Sequence, residues 1–479
     1  MTSGKKRRFE AKYLYRAVCG ILQTVLCTIS FYYVWWNFVK EHNQTGHLLG
    51  KGNLGMAVLI YLVGCFFFFH ALGGYKIGVN RKMNLIASQV VALFLLDFAE
   101  IFVSLAITGE FRFFSDFLPR YLLLFLVQAV VNGILAGLLT DLYRKLFPPL
   151  RLLEIYGGHH NLLYAKMNLR RDKYDVCGFM SCEEDEKKIR SAMKLYDAVL
   201  INDMPAESKN KILKICFDQD ERVYFIPKIS DIIVKSSEEI NLFDTPLYLS
   251  RNMGMSGIEA FFKRFFDILL SAVALVILSP VLLITAAAIK LNDGGPVFFR
   301  QKRCTIGGEE FMILKFRSMI VDAEKDGKSH PAGEKDDRIT KVGHVIRATR
   351  IDELPQLINI LKGDMSIVGP RPERIEHVQQ YTEEIPEFSF RQKVKGGLTG
   401  YAQVYGKYNT TALDKLKLDL TYIMNYSIIL DVQIIFETVK ILFQKESTEG
   451  FSEEQAANIR KFEEEHGLVG VQEQDKHKT

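Results

Sequence analysis

Along the first third of the chain the apolar positions run on without alternation. Only beyond Pro148 and Pro149 do they break into short runs separated by charged stretches. Four apolar runs, 17–36, 55–74, 84–107 and 121–142, each reach the roughly 20 residues that carry a helix across a bilayer. They predict a four-helix transmembrane region over residues 1–147. Trp35, Trp36 and Tyr75 fall at run ends, where amphipathic rings favour the membrane interface. Asp97 and Glu100 fall inside the third run. Intramembrane carboxylates are functional candidates because they are expensive; the bland alternative is a polar seam between helices.

From 148 to 255 the pattern is that of an α/β Rossmann-like domain. LLEIY at 152–156, VCGFM at 176–180, AVLIN at 198–202 and VYFIP at 223–227 alternate with charged helical stretches at 184–196 and 206–218. Strands that alternate with helices predict a parallel sheet with helical crossovers. Gly157 and Gly158 follow the first strand, where a dinucleotide fold keeps its phosphate loop. His159, His160 and Asn161 come next, so GxGxxG is missing and no dinucleotide is expected there.

A second apolar region opens with FFKRFFD, whose Lys263, Arg264 and Asp267 among aromatics suit an interfacial helix. The run 268–289 follows, interrupted by Ser279 and Pro280. Its length permits a fifth crossing. Basic residues on both sides (Lys263 and Arg264 before; Lys290, Arg300, Lys302 and Arg303 after) and a kinking proline permit a dip that returns to the same side. The residues leave both readings open. Beyond it, 292–406 is polar and rich in glycine and arginine, and 419–443 reads as amphipathic helix. The tail from 444 is charged, with an exposed helix expected at 451–466 and disorder beyond 469.

Charge orients the spans. Lys5, Lys6, Arg7, Arg8, Lys12 and Arg16 precede the first, and Lys76, Arg81 and Lys82 lie between the second and third, which places the N-terminus in the cytoplasm. No small-residue cleavage site follows the first run, so an anchor is expected there. The net charge of +5 suits an anionic membrane surface and gives no reason to expect nucleic acid. Cys19, Cys27 and Cys65 sit in apolar runs, and the other four of the seven cysteines show neither CxxC pairing nor zinc spacing. Reduced thiols are expected.

Chemistry concentrates between 293 and 403. DGGPVFFRQKR (293–303), FMILKFRSM (311–319, with Lys315 and Arg317), RITKVG (338–343), RATRIDELPQ (347–356) and GDMSIVGPRPE (363–373) set arginines and lysines beside glycine turns, as a polyphosphate site would. Asp352 and Glu353 are the sharpest feature. Neighbours on a helix point about 100° apart, so the two would not share one task. Pro355 places them at the start of the helix LPQLINIL, where they are either helix caps or the ionised groups of an anion site.

These motifs resemble the bacterial sugar transferase family, the monotopic phosphoglycosyl transferases. The similarity covers 263–450: KRFFD, the Ser279-Pro280 break, GGPVFFRQKR, FMILKFRSM, DRITKVG, DELPQLINILKGDMSIVGPRPE, GLTGYAQV at 397–404 and DLTYIMNYSIILD at 419–431. The whole chain is similar to the large members, with four N-terminal spans and a Rossmann-like domain. The resemblance implies an α+β, mostly helical catalytic domain over 256–450 with a re-entrant membrane helix at 261–290 broken at Ser279 and Pro280, and a charged tail at 451–479. It implies transfer of a sugar-1-phosphate from a UDP-sugar to polyprenyl (undecaprenyl) phosphate, with Asp352 as nucleophile and UMP released, at the start of exopolysaccharide, capsule or other surface-glycan synthesis. Glu353 would hold Mg²⁺, Arg347 would steady phosphoryl oxygens, and Arg371 would bind the nucleotide. Lys302, Arg303, Lys315 and Arg317 are further phosphate contacts. The expected setting is the bacterial cytoplasmic membrane, catalytic domain facing the cytoplasm, with a homo-oligomer and downstream glycosyltransferases as candidate partners. Two departures concern local loops: Gly396-Gly397 where the family has Pro-Gly, and Thr305 where a glycine is usual. The rival readings are a non-catalytic membrane scaffold and a nicotinamide-dependent oxidoreductase; the acidic pair opposes the first and the broken glycine fingerprint the second.

Overall fold

A computed structural model describes residues 3–42, 50–157, 163–250, 254–321, 323, 336–406 and 410–442. His159, His160, Asn161 and the expected 451–479 tail with its helix at 451–466 lie outside the described residues. The chain divides into two compact units at Ile226/Pro227.

In the first unit, helices α1 (Ser3–His42), α2 (Lys51–Ala71), α3 (Lys82–Thr108) and α4 (Phe114–Leu146) correspond to the four apolar runs; α1, α3 and α4 contain theirs, while α2 ends three residues before its own, 55–74, does. All four are long and apolar enough to cross a membrane. Their outer faces present Ile21, Leu59, Phe66, Phe98, Leu123 and Ile134, an apolar surface suited to lipid. The polar groups point inward instead. Gln23 and Gln89 exchange amide hydrogen bonds of 3.2 and 3.0 Å between α1 and α3. The Tyr61 hydroxyl lies 3.1 Å from Asp97 and 2.9 Å from Gln128, and Trp35 donates to Tyr121 at 2.9 Å. Asp97 and Glu100 are both buried within this seam.

The α/β part follows: β1 (Leu150–Tyr156), α5 (Leu163–Asn168), β2 (Tyr174–Ser181), α6 (Glu186–Met193), β3 (Ala198–Ile201), α7 (Ala206–Asp218) and β4 (Val223–Phe225). The strands form one parallel sheet in the order β2-β1-β3-β4. Ile155, Val199 and Ile201 from the strands pack on Ile189, Met193, Ile212 and Ile215 from α6 and α7.

The second unit begins with α8 (Ile229–Lys235) and an exposed antiparallel hairpin, β5 (Glu238–Leu242) with β6 (Thr245–Leu249). Helix α9 (Gly257–Asp293) comes next, then the hairpin β7 (Phe298–Cys304) and β8 (Glu310–Phe316), helices α10 (Lys341–Ala348) and α11 (Gln356–Lys362), and β9 (Ser366–Val368). Helix α12 (Ile375–Glu384), strand β10 (Gly397–Thr399, parallel to β9), and helices α13 (Tyr401–Tyr405), α14 (Ala412–Met424) and α15 (Ile428–Leu442) complete it.

Helix α9 starts in a capping box, Ser256 Oγ accepting from Glu259 N at 3.3 Å and Glu259 accepting from Ser256 N at 2.8 Å. It stops at Gly294, whose φ of 72° suits glycine. Pro280 lies inside it and the helix continues through. One face is covered by the domain: Leu275 and Leu278 pack on Ile313, Leu357, Ile360 and Met365, and Leu282, Ala286 and Ile289 pack around Phe316 and Ile346. The spacing of 3, 4, 4 and 3 residues is one helical stripe. The opposite face leaves Phe261, Phe265, Val276, Ile277, Leu283 and Ile284 exposed. Polar contacts secure the first turns. Arg264 donates to Ile360 O and Leu361 O at 2.5 and 2.8 Å, binding two carbonyls of the last turn of α11. Asp267 accepts from Ile367 N at 2.9 Å, and Lys263 pairs with Asp431 at 2.6 Å.

Two buried polar groups fix the catalytic elements. Asn359 of α11 accepts from Leu314 N (2.9 Å) and donates to Met312 O (2.8 Å), acting as an extra strand residue along β8. Arg391, 5% exposed, binds Asp419 at 2.7 Å and donates to Arg371 O at 3.1 Å. Glu373 lies 3.8 Å from Arg391 and 2.9 Å from Lys415. Asn359→Leu leaves the two strand groups unpaired and is expected to lower stability by about 2–4 kcal/mol in thermal unfolding. Arg391→Met strands the buried Asp419 carboxylate and is expected to cost about 3–5 kcal/mol; the double variant Arg391→Met/Asp419→Leu should recover most of it.

Candidate active site

Strand alternation puts Ile313 and Lys315 on the same face of β8, and both line a cavity of about 240 Å³ with Arg303, Glu353, Gln356, Arg371, Pro372, Gly397, Leu398 and Gln403. Glu353 arrives there on a short 3-10 turn, Ile351–Glu353, that precedes α11 rather than standing in its first turn; Asp352, on the same turn, is not among the residues that line the cavity. The reason is local: Arg350 adopts the left-handed conformation, φ 58°, and so ends the helical path that leaves α10. Pro355 then caps α11.

The two carboxylates meet opposite surroundings. Glu353 Oε1 accepts from Lys315 Nζ at 2.8 Å and from Arg371 Nη2 at 3.0 Å, and Arg350 stands 3.9 Å from Oε2. Burial acts to raise the Glu353 pKa, but Arg371, Lys315 and Arg350 outweigh it and hold the carboxyl well below the usual range. Asp352 forms no ion pair within 4 Å among the described residues. Burial raises its pKa, the Glu353 charge adds to that, and Lys315, Arg350 and Arg347 oppose it. Lys315 itself is lowered by burial and supported by Glu353.

The expected site residues separate into two groups. Arg303, Lys315, Glu353 and Arg371 converge on the cavity, with Arg303 also donating to Pro372 O at 3.2 Å. Arg347 sits in the last turn of α10 and acts electrostatically on Asp352. Arg317 lies beyond the end of β8 and turns away, pairing with Asp293 and donating to Pro296 O at 2.7 Å. Lys302 is exposed and spans the hairpin to Glu310 at 3.1 Å. Ser279 and Pro280 belong to α9, where Ser279 donates to Val276 O at 2.8 Å. Gln356 and Gln403 line the cavity without having been singled out; both stand in quoted motifs, and only their long-range placement gives them meaning. A second cavity of about 300 Å³ shares Arg371 and Pro372, is lined also by Cys304, Phe388 and Arg391, and lacks the acidic pair.

For a divalent cation the protein donor set is small. No three His, Cys, Asp or Glu side chains converge among the described residues. Mg²⁺ beside phosphates takes only one or two carboxylates, the rest of its shell being water and phosphate oxygen. Glu353 Oε2, with Oε1 already engaged, fits that role as a single ligand.

Comparison with known proteins covers the segment in which these residues lie. The family described as "Bacterial sugar transferase" matches residues 258–445, from the start of α9 into the region beyond α15. A UDP-glucose:undecaprenyl-phosphate glucose-1-phosphate transferase of Klebsiella pneumoniae is 40% identical over 263 residues, 53% of this chain and 53% of its own. A UDP-N-acetylgalactosamine-undecaprenyl-phosphate N-acetylgalactosaminephosphotransferase of Aeromonas hydrophila is 42% identical over 253 residues, 52% of this chain and 59% of its own. The chain thus spans a little over half the length of these two curated relatives. A shorter UDP-glucose:undecaprenyl-phosphate glucose-1-phosphate transferase of Caulobacter vibrioides is 42% identical over 186 residues, 38% of this chain and 69% of its own. The shared stretch is the one that carries α9, the cavity and the acidic turn, and by it the chain belongs to the bacterial sugar transferase family.

Proposed function

We propose that the protein transfers a hexose-1-phosphate from a UDP-sugar to undecaprenyl phosphate. The observation that carries the reading is the asymmetry of the acidic pair: Glu353 is held by Lys315 and Arg371, while adjacent Asp352 has no ion pair among the described residues. An ionised, unpaired carboxylate beside a cationic cavity suits a nucleophile toward phosphorus. In the first step an Asp352 oxygen attacks the sugar-linked phosphorus, an acyl phosphate bond forms, and the phosphoanhydride bond breaks to release UMP. In the second step an oxygen of undecaprenyl phosphate attacks the same phosphorus and frees the Asp352 carboxylate. Lys315, Arg303 and Arg371 face the charge that builds on the phosphoryl oxygens, and Arg347 adds to that field. Bound through Glu353 Oε2, Mg²⁺ would neutralise phosphate charge.

The membrane setting follows from α9. The same polar domain packs on the helix before Pro280, through Leu275 and Leu278, and after it, through Leu282, Ala286 and Ile289. A helix with one side against a polar domain along both halves is better suited to lie in, or dip into, one leaflet than to cross it. With the basic N-terminus in the cytoplasm, the catalytic unit faces the cytoplasm of a bacterial cell. Relatives named for glucose and for N-acetylgalactosamine leave the sugar to experiment.

Purified protein with Mg²⁺ and undecaprenyl phosphate is expected to release UMP from at least one of UDP-glucose, UDP-galactose and UDP-N-acetylgalactosamine. Asp352→Asn should lower that rate roughly a thousandfold or more. Equal rates in parent and variant would reduce Asp352 to a turn residue with no part in the chemistry, and no release from any UDP-sugar would favour the scaffold reading. Because Asp352 must be ionised and its pKa is raised, activity should be lost as pH falls through a value above the usual aspartate range of about 4. The depressed Glu353 stays ionised over that interval, so a single ionisation is expected on the acid limb of kcat/KM.

A further inference from the structure

The GLTGYAQV segment holds a group to which the chemistry above gives no task. Gln403 lies in α13, just after β10, and lines the cavity of Glu353, Lys315, Arg371 and Arg303. Its backbone is fixed, its N–H donating to Gly400 O at 3.0 Å. Its side-chain Nε2 is closed off from solvent and meets no acceptor among the described residues. Arg303 Nε, in the same cavity, is in the same condition. Burying an N–H donor without an acceptor is unfavourable, and two in one cavity point to a ligand that brings oxygen atoms.

The nature of those oxygens follows from the other walls. Lys315 and Arg371 add positive charge, and the carboxylate lining the cavity, Glu353, has Oε1 engaged by both. A sugar hydroxyl needs acceptors as well as donors around it. A phosphate oxygen only accepts, and it gains from each cation nearby. We infer that Gln403 is a further substrate-binding residue, its side-chain amide donating, beside Arg303, to a non-bridging oxygen of the diphosphate of the nucleotide-sugar. This inference rests on the nucleotide-sugar reading proposed above.

The test compares the parent with Gln403→Leu, which removes the amide, and Gln403→Glu, which keeps its shape and replaces the donor by a negative acceptor. In lipid nanodiscs, kcat/KM for UMP release is expected to fall about tenfold in Gln403→Leu and further in Gln403→Glu. The factor should be the same for every UDP-sugar the parent accepts, since the diphosphate is common to all. Calorimetric titration with inorganic pyrophosphate should show a Kd raised by about the same factor. Unchanged kcat/KM in both variants overturns the inference, and so does a loss confined to one sugar, which would assign the amide to the sugar ring. A lower melting temperature in Gln403→Leu leaves Gln403→Glu, of unchanged size, to carry the comparison. If the parent releases no UMP from any UDP-sugar, the transferase reading fails, and the pyrophosphate titration alone decides Gln403. Weaker binding in the variants then sustains its role as a diphosphate ligand, and equal binding removes it.

Discussion

The elements around the acidic turn hang on one stripe of α9. Leu275 and Leu278 seat α11 and β8, while Leu282, Ala286 and Ile289 seat the end of β8 and α10. Those are the elements that deliver Lys315, Arg347 and the acidic turn. The stripe must therefore satisfy two solvents at once, packed protein on one side and, on the exposed face of Val276, Ile277, Leu283 and Ile284, an apolar medium. Polar anchors stand at both ends: Lys263, Arg264 and Asp267 in the first turns, where FFKRFFD mixes charge with aromatics, and Asp293 in the last, paired with Arg317. Between them the helix meets the domain through side-chain packing.

Within that frame a sequence-adjacent pair of carboxylates is divided by its neighbours. Lys315 comes from β8, Arg371 from the segment after β9, and Arg350 from the turn before the pair, so three separate stretches of chain meet at Glu353. The consequence is a division of labour by electrostatics: one group is kept charged and occupied, and its neighbour, with no ion pair among the described residues, has its pKa raised by burial. Arg391 supports this at a distance by holding the Arg371 carbonyl from within its own pairing with Asp419.

Elements defined by period were legible in the sequence. The four apolar runs mark α1–α4, only the second overrunning its helix, and each proposed strand of the α/β part overlaps one of β1–β4, because hydropathy and short alternation report burial directly. What depended on contacts far along the chain was not. Lys315 and Arg317 share an i, i+2 spacing that suggests one face. Yet the strand ends at Phe316, and Asp293 draws Arg317 elsewhere. The acidic pair was expected in a first helical turn and stands before it, because a left-handed Arg350 is invisible to composition. The β5–β6 hairpin has every residue exposed and so carried no burial pattern to read. Gln403 and Asn359 were visible as letters of motifs. Their roles come from β8, which lies 45 residues from Asn359 and farther from Gln403.

The amide exchange between Gln23 and Gln89 has a consequence for how α1 and α3 align. Each such bond within a bilayer adds only about 0.6 kcal/mol on average, too little to hold two helices together. Sliding α1 by one turn, about 5.4 Å, would break both bonds and take Gln23 from its partner, while Gln89 would keep only its 2.8 Å bond to Gly74 O. The pair therefore works as a vernier: lipid-like packing tolerates many offsets of one helix against the other, and the two glutamines reject all but one.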